Sequence, residues 1–367
     1  MVKNKPRDIL DLENELQQIM TDLRAKQKTV QDKKLEEICG DMPPVVSVKL
    51  GLRRALKGHL QKVNAVHYAG DSRHLVSAAL ESKLIIWDTI TGNKVKIISL
   101  RSSWTMTCAY SSTGNMVACG GMDNMCSLYD LNKRDCDNVG AKLVRELAGF
   151  DGFLSCCRFL DDTKIITGSA DKKVLIVFGK FDILTALEQI VDHVLWDVES
   201  GAKVKEFRGH TGDVISCAIS YDSSNLVTGS VDKTAKLWDL RTDKSVQTFF
   251  GHEADVTSVN FHRSNNVFST GSEDKTCRLF DIRSDQEISA YRSPNSRSGF
   301  TSCVLSLSGR IMLAGSDDTS IHMWDILKSK YAGNLTGHES RVSTISLTPD
   351  GMALASGSWD TSIKVWV

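Results

Sequence analysis

Apolar positions follow two patterns, and the change comes about an eighth of the way along the chain. Through the first 40 residues they recur three and four apart, at Ile9, Leu12, Leu16, Ile19, Leu23 and Val30, with Lys26 interrupting the stripe and charged or amide residues between. This spacing predicts a helix of about four heptads with a narrow apolar seam, the coiled-coil pattern. Pro6 precedes it, and Gly40 followed by Pro43-Pro44 ends it. A seam without a wide apolar face favours a helical partner over folding back on a globular body. Such a helix cannot bury its seam alone. Beyond residue 44 the apolar residues come instead in short strand-like segments such as SCCRF and TCRLF.

These segments carry a period. Glu81 to Trp87, Asp123 to Tyr129, Asp232 to Trp238, Asp274 to Phe280, Asp318 to Trp324 and Asp360 to Trp366 each pair an acid with an aromatic six positions later. Four of these acids lie 22 positions after a Gly-His pair, at His59, His210, His252 and His338. Successive aromatics from Trp196 to Trp366 are 42 or 44 residues apart. A Gly-His to Trp-Asp unit of about 40–45 residues is the signature of a WD40 blade, four antiparallel strands of a β-propeller.

The spacing has a physical cause. The histidine of the turn entering the first strand, a hydroxyl of the second, the acid of the next turn and the tryptophan of the third can join by hydrogen bonds. Here the sets read His210, Thr228 or Ser230, Asp232 and Trp238, and His338, Ser356 or Ser358, Asp360 and Trp366, with His59, Trp87, Asp123, His252 and Asp274 as further members. A buried polar chain stabilises only when every member is satisfied. A hydrolytic triad would occur once, whereas this grouping recurs, so it reads as structure and the chain reads as no enzyme.

Seven aromatic landmarks, at Trp87, Tyr129, Trp196, Trp238, Phe280, Trp324 and Trp366, predict seven blades. Trp366 lies one residue from the last, so the seventh blade lacks a fourth strand; Val45 to Leu56 is the natural donor. Closing the ring in this way removes exposed sheet edges. The expected organisation is a coiled-coil helix and linker over 1–44 and an all-β, seven-bladed propeller over 45–367. Blade three is irregular: Asp171 should meet its aromatic at 177 but meets Trp196, an excess of 19 residues within about 174–194. Ile183, Leu187, Ile190, Val191 and Val194 there have helical spacing. Two registers are open. Either His193 to Trp196 is the third strand and the surplus is a loop, or Val174 to Val177 is that strand and the helix lies on the opposite face. The first keeps Trp196-Asp197 in its slot, and a retained intron or splice segment is a plainer account of the surplus.

Composition narrows the function. Lys+Arg and Asp+Glu are equal at 45 each, which gives no global field to attract nucleic acid. The 10 cysteines are scattered through strand-like segments with no CxxC and no His/Cys ligand spacing. They read as buried small hydrophobes in a reducing compartment, not as metal ligands or disulfides, and no cofactor motif is present. The start MVKNKPRD is no signal peptide, no apolar run approaches membrane-spanning length, and Val2 and the C-terminus lack lipidation motifs. Membrane attachment is therefore expected only through a partner.

RRALKGHLQKV, KLIIWD, LRSSWTMTCAYSSTGNMVACGGMDN, RELAG, LSCCRFLDD, GHTGDV, TCRLFDIR and the closing GSWD, behind a coiled-coil helix, resemble the beta subunits of heterotrimeric G proteins, the common rather than the divergent neuronal type. Segments outside the repeat match as well, and the likeness covers nearly the whole chain apart from the surplus in blade three. The resemblance implies a non-catalytic binding module at the cytoplasmic face of the plasma membrane. Its helix, through Ile9, Leu12, Leu16, Ile19, Leu23 and Val30, would pair with an obligate, prenylated gamma subunit. Its rim would receive a GDP-bound alpha subunit and, once freed, effectors and receptor kinases. Carried over, the alpha-contact positions are Leu60, Lys62, Lys83, Ile85, Lys94, Ser103, Trp104, Met106, Asn124, Asp213, Asp255 and Trp359.

The chain departs from the family pattern at Asn64 (usually Tyr), Met122 (Leu), Asp151 (Thr), Phe153 (Tyr), Ile215 (Met), Val231 (Cys), Thr257 (Asn) and Glu273 (Asp), and Phe150 stands where blade three should have its histidine. These changes bear on alpha affinity, not on the fold. By their residues alone, Trp104 and Trp359 lie outside the repeat's aromatic slot, which suits an interface anchor; partial burial against a neighbouring blade is the other account. A different function for the same propeller is peptide recognition in a ubiquitin ligase or other complex, but no F-box-like second domain and no arginine cluster at the repeat turns accompanies it.

Overall fold

The computed structural model describes residues 18, 35–45, 48, 50–133, 141–170, 193–242, 245–294 and 298–367. The chain divides into two compact units, Met1–Pro44 and Val45–Val367. In the first, a single helical turn spans Leu35–Ile38; Ile9, Leu12, Leu16, Ile19, Leu23 and Val30 lie outside the described residues.

The second unit is a propeller of seven four-stranded antiparallel sheets. Blade one is Val63–Tyr68, His74–Ala79, Lys83–Asp88 and Lys94–Ser99, its strands a to d from the axis outward. Blades two to six begin with strands Thr105–Tyr110, Leu154–Phe159, Val214–Ile219, Val256–Phe261 and Phe300–Leu305. Blade seven takes Val342–Leu347, Leu354–Ser358 and Ser362–Trp366 from one end of the chain and Leu52–Lys57 from the other. That last strand runs antiparallel along Ser362–Trp366, and reciprocal bonds between Gly51 and Val367 (2.9 and 3.0 Å) extend the ladder. The first and last segments of the unit thus close the ring, which leaves no blade with an open inner or missing strand.

Apolar side chains are buried between neighbouring blades. Val76, Leu84 and Ile86 of blade one pack with Cys108, Val117 and Tyr129 of blade two, and similar clusters follow round the ring. Strands b and c are therefore covered on both faces, while strand d keeps one face in water, as the pattern of Lys94–Ser99 shows. Eight of the cysteines are buried in these layers with no disulfide among the described residues, and burial raises the thiol pKa of Cys157 and Cys303 to about 11. They act as small apolar residues.

One irregularity repeats seven times. In every blade the pairing of strand a with strand b slips at the second residue of strand a: Asn64, Met106, Ser155, Ile215, Thr257, Thr301 and Ser343. A bulge re-aims a side chain, and here it turns the residue toward the next blade. Ser155 Oγ donates to Val214 O (2.5 Å), Thr257 Oγ1 to Phe300 O (2.6 Å), Thr301 Oγ1 to Val342 O (2.5 Å), Ser343 Oγ to Val63 O (2.5 Å), and Asn64 Nδ2 to Thr105 O (3.0 Å). Five of the seven joints are stitched in this way. Met106 and Ile215, which have no such donor, leave the other two to apolar packing.

Candidate partner-binding face

Blades one, four, five and seven each contain a closed polar group behind the face that carries the d–a and b–c connections. In blade four, His210 Nδ1 meets Asp232 Oδ2 at 2.7 Å and His210 Nε2 meets Thr228 Oγ1 at 2.7 Å, while the Trp238 indole donates to the same hydroxyl at 2.9 Å. Blade seven uses Ser356, not Ser358, between His338 and Trp366 (2.7 and 2.9 Å). In blade one Glu81 takes the acid's place at 2.6 Å from His59. Blade five joins His252 to Asp274 and Thr270, but Phe280 has no donor to add.

The acid also shapes the turn. Asp232 Oδ1 accepts the amide and hydroxyl of Thr234 (2.9 and 2.6 Å), holding Lys233 between them at φ +69°. The residue after the acid is left-handed in six blades: Ser82, Asn124, Lys233, Lys275, Thr319 and Thr361. None is glycine, so each turn holds backbone strain of about 1 kcal/mol that the carboxylate's bonds offset. Burial tends to raise the carboxyl pKa of Asp232, Asp274 and Asp360. The bonds from histidine, hydroxyl and amide outweigh it and hold all three below the ordinary range. For His59 burial dominates over the bond to Glu81 and lowers its pKa.

Blades two and three lack the complete set. Blade two has Ser102-Ser103-Trp104 at its entering turn, and Asp123 accepts the Met125 amide at 3.4 Å. In blade three Phe150 occupies the histidine slot, its ring 5.4 Å from that of Trp196, and Trp196 donates to Thr167 Oγ1 at 2.9 Å. Strand c of this blade is His193–Asp197, paired with Lys164–Ser169 through Gly168↔His193 and Ile165↔Trp196. The first of the two registers is the one adopted. The surplus therefore lies between strands b and c, although Asp171 and the helically spaced Ile183, Leu187, Ile190 and Val191 lie outside the described residues.

Seven backbone bonds mark the rim of the face. The residue before each strand a accepts from the b–c turn of its own blade: Lys62 from Leu80, Trp104 from Met122, Phe153 from Ala170, Asp213 from Val231, Asp255 from Glu273, Gly299 from Asp317 and Arg341 from Trp359. Lys62, Trp104, Asp213, Asp255 and Trp359 thus share one ring by register. Met106 stands one step further into the channel, and Asn124 occupies a b–c turn where its amide donates to Asp151 O at 3.1 Å. Leu60 is 76% exposed, and Trp104, 54% exposed, stands beside exposed Ser103 and Met122. Trp359 is half-buried instead: Lys62 Nζ lies 3.9 Å and Arg341 Cζ 5.0 Å from its ring centroid, and Arg341 is in turn tied to Asp317 at 2.7 Å. The ring forms one wall of a cavity of about 450 Å³ at the channel mouth, shared with Asn64, Met106 and Asp213.

The remaining positions divide. Lys83 begins a strand at the same edge and is partly exposed. Lys94 stands on the outer strand of blade one, its amine 3.4 Å from Gly58 O. Ile85 does not reach the face. It is 1% exposed and packs with Val63, Val66 and Ile363, because strand c is covered on both sides by neighbouring blades. The cation sandwich on Trp359 and the bulge stitches had no reading in the sequence, although five polar residues at one position of the repeat were a visible signal.

The family described as G protein beta WD-40 repeat protein matches residues 7–367. This chain belongs to that family. Among curated relatives, guanine nucleotide-binding protein G(I)/G(S)/G(T) subunit beta-1 of Homarus americanus is 48% identical over 359 residues, 98% of this chain and 99% of the relative. The family's propeller is therefore spanned end to end, with the surplus of blade three set between two strands that keep their register.

Proposed function

We propose that the chain is the beta subunit of a heterotrimeric G protein. It acts as a scaffold without chemistry of its own: its recurring His–acid–hydroxyl groups bond one another and the blade's aromatic. The N-terminal segment, through Ile9, Leu12, Leu16, Ile19, Leu23 and Val30, pairs with a gamma subunit that supplies the lipid anchor at the cytoplasmic side of the membrane; among the described residues no helix is long and apolar enough to cross one. The rim ring receives the GDP-bound alpha subunit, and effectors and receptor kinases use the same face once alpha leaves. The observation that carries this reading is the ring of Lys62, Trp104, Asp213, Asp255 and Trp359 on one face, in a chain that matches the family over its length.

Trp104 and Trp359 serve as anchors there. Truncating a hot-spot aromatic costs about 2 kcal/mol or more. Trp104→Ala is expected to weaken binding to GDP-bound alpha by that amount and to leave gamma pairing intact, whereas Leu16→Asp with Leu23→Asp abolishes gamma pairing. Immobilised alpha and co-elution with gamma measure the two. Loss of both activities in Trp104→Ala would place this side chain in the folding core and remove the rim assignment.

A further inference from the structure

Three nitrogen-bearing side chains occupy one position of the repeat in alternate blades. His67, Arg158 and Asn260 are each the fifth residue of strand a, in blades one, three and five. At that position the other blades carry Ala109, Ala218, Val304 and Ser346. These three, together with Ser346, line one cavity of about 240 Å³, which opens toward the a–b connections, on the face opposite the rim ring. Arg158 and Asn260 also line the larger cavity, so they stand where the two halves of the channel meet.

All three can donate. Arg158 uses only Nη1 within the described residues, to Cys157 O (2.8 Å) and Cys108 O (3.5 Å), although a guanidinium has five N–H groups. His67 Nδ1 accepts the Tyr110 amide at 3.1 Å, so its neutral ring carries the proton on Nε2. Burial first, and then the charge of Arg158, lower its pKa to about 3, which keeps the ring neutral and a donor. The described lining of the smaller cavity contains no carboxylate. Asp213 and Glu273 line the larger cavity, but the hydrogen bonds of Arg158 among the described residues go only to backbone carbonyls, and a guanidinium so placed favours an anion beside it.

We infer that the channel at the level of Arg158 is a binding site for a small tetrahedral oxyanion, a phosphate or phosphate monoester, held by Arg158, His67 Nε2–H and the Asn260 amide. Donors arriving from three blades suit an oxyanion with three or four oxygens better than a planar carboxylate. Because the three blades are separated along the chain, occupancy would tie them together from inside and stabilise the closed ring.

The test uses the full chain with its gamma partner and inorganic phosphate as probe, at constant ionic strength set with chloride, read by titration calorimetry and by phosphorus NMR. Saturable binding that weakens about tenfold or more in Arg158→Gln and in Asn260→Ala is the expected result. Glycerol phosphate tests the monoester, and acetate the carboxylate. Should Arg158→Gln fail to fold, Asn260→Ala and His67→Gln carry the same comparison. The inference is overturned by no saturable phosphate binding, by phosphate affinity unchanged in the folded variants, or by acetate binding at least as tightly as phosphate.

Discussion

Blades four and six perform the same task with residues from different places. In blade four the base comes from the turn entering the first strand, and His210 bridges Asp232 and Thr228. Blade six has no Gly-His; its histidine is His322, four residues after Asp318 on the third strand, with Nε2 2.8 Å from Asp318 Oδ2 and Nδ1 2.9 Å from the Tyr331 hydroxyl. Trp324, with no hydroxyl to meet, donates to Arg292 O at 3.2 Å. The Asp318 side chain is 27% exposed, against 8% for Asp232. The fold therefore requires that a turn acid and a buried aromatic be satisfied, and leaves open which strand supplies the partner. Blade three goes further, filling the slot with the apolar ring of Phe150.

The sharpest way to break this comparison is to remove the two histidines. His210→Ala takes one partner each from the buried Asp232 carboxylate and the Thr228 hydroxyl and leaves a void between them, and is expected to cost about 3 kcal/mol. His322→Ala is expected to cost about half as much, since water reaches Asp318 and replaces part of what is lost. Guanidinium midpoints of the gamma complex measure both, and equal losses would mean that exposure of the acid does not matter.

Acid titration tests the same groups together. Asp232, Asp274 and Asp360 have folded pKa values below the unfolded ones, so their contribution is full above about pH 5 and is lost as pH falls through the carboxylate range. His59 has a folded pKa below 6.5, so the unfolded chain takes the proton first and stability begins to fall below about pH 6.5. Denaturation midpoints should decline in two stages, and His59→Gln should shrink the earlier one, to which His67, also kept neutral by burial, contributes as well. A curve flat down to pH 5 in the unsubstituted chain would contradict the assignment for His59.

Blade three supplies the next test. Deleting Val174 to Asp192 restores six-residue spacing between Asp171 and Trp196, while strand c, His193–Asp197, is retained. Shortening the connection is expected to raise stability by about 1–2 kcal/mol through loop closure. Alpha binding should strengthen too, because the b–c edge faces the rim ring. A loss of stability would show that the deleted residues pack on the propeller.

The smallest expected effect concerns the stitches. Thr257→Val removes a hydroxyl that donates to Phe300 O at 2.6 Å and should cost about 1 kcal/mol. Ile215→Val, at a joint without such a bond, should cost less than that. Thermal melts of the two variants side by side decide whether the bulge matters through its hydrogen bond or through shape alone.

Much of this architecture was legible because the repeat is written in residues whose chemistry admits few roles. A histidine 22 positions before an acid and an aromatic six after it imply one turn and two strands, and seven aromatics imply seven blades. The hydroxyls were ambiguous, Thr228 against Ser230 and Ser356 against Ser358, since both members of each pair lie on the same face of one strand and only their distance along it from the histidine separates them. Ile85, near the partly exposed Lys83 in the chain, packs between blades, and its nearness to Lys83 did not show that.

Sequence alone determined the number of blades, the incomplete last blade and the place of the surplus in blade three, because local spacing is imposed by strand length and turn chemistry. Only the tertiary structure decided which strand-c register blade three adopts, that Lys62 and Arg341 enclose Trp359, and that His67, Arg158 and Asn260 meet in the channel. Those groupings join residues from different blades, and their distances are set by closure of the ring. No interval along the chain encodes them.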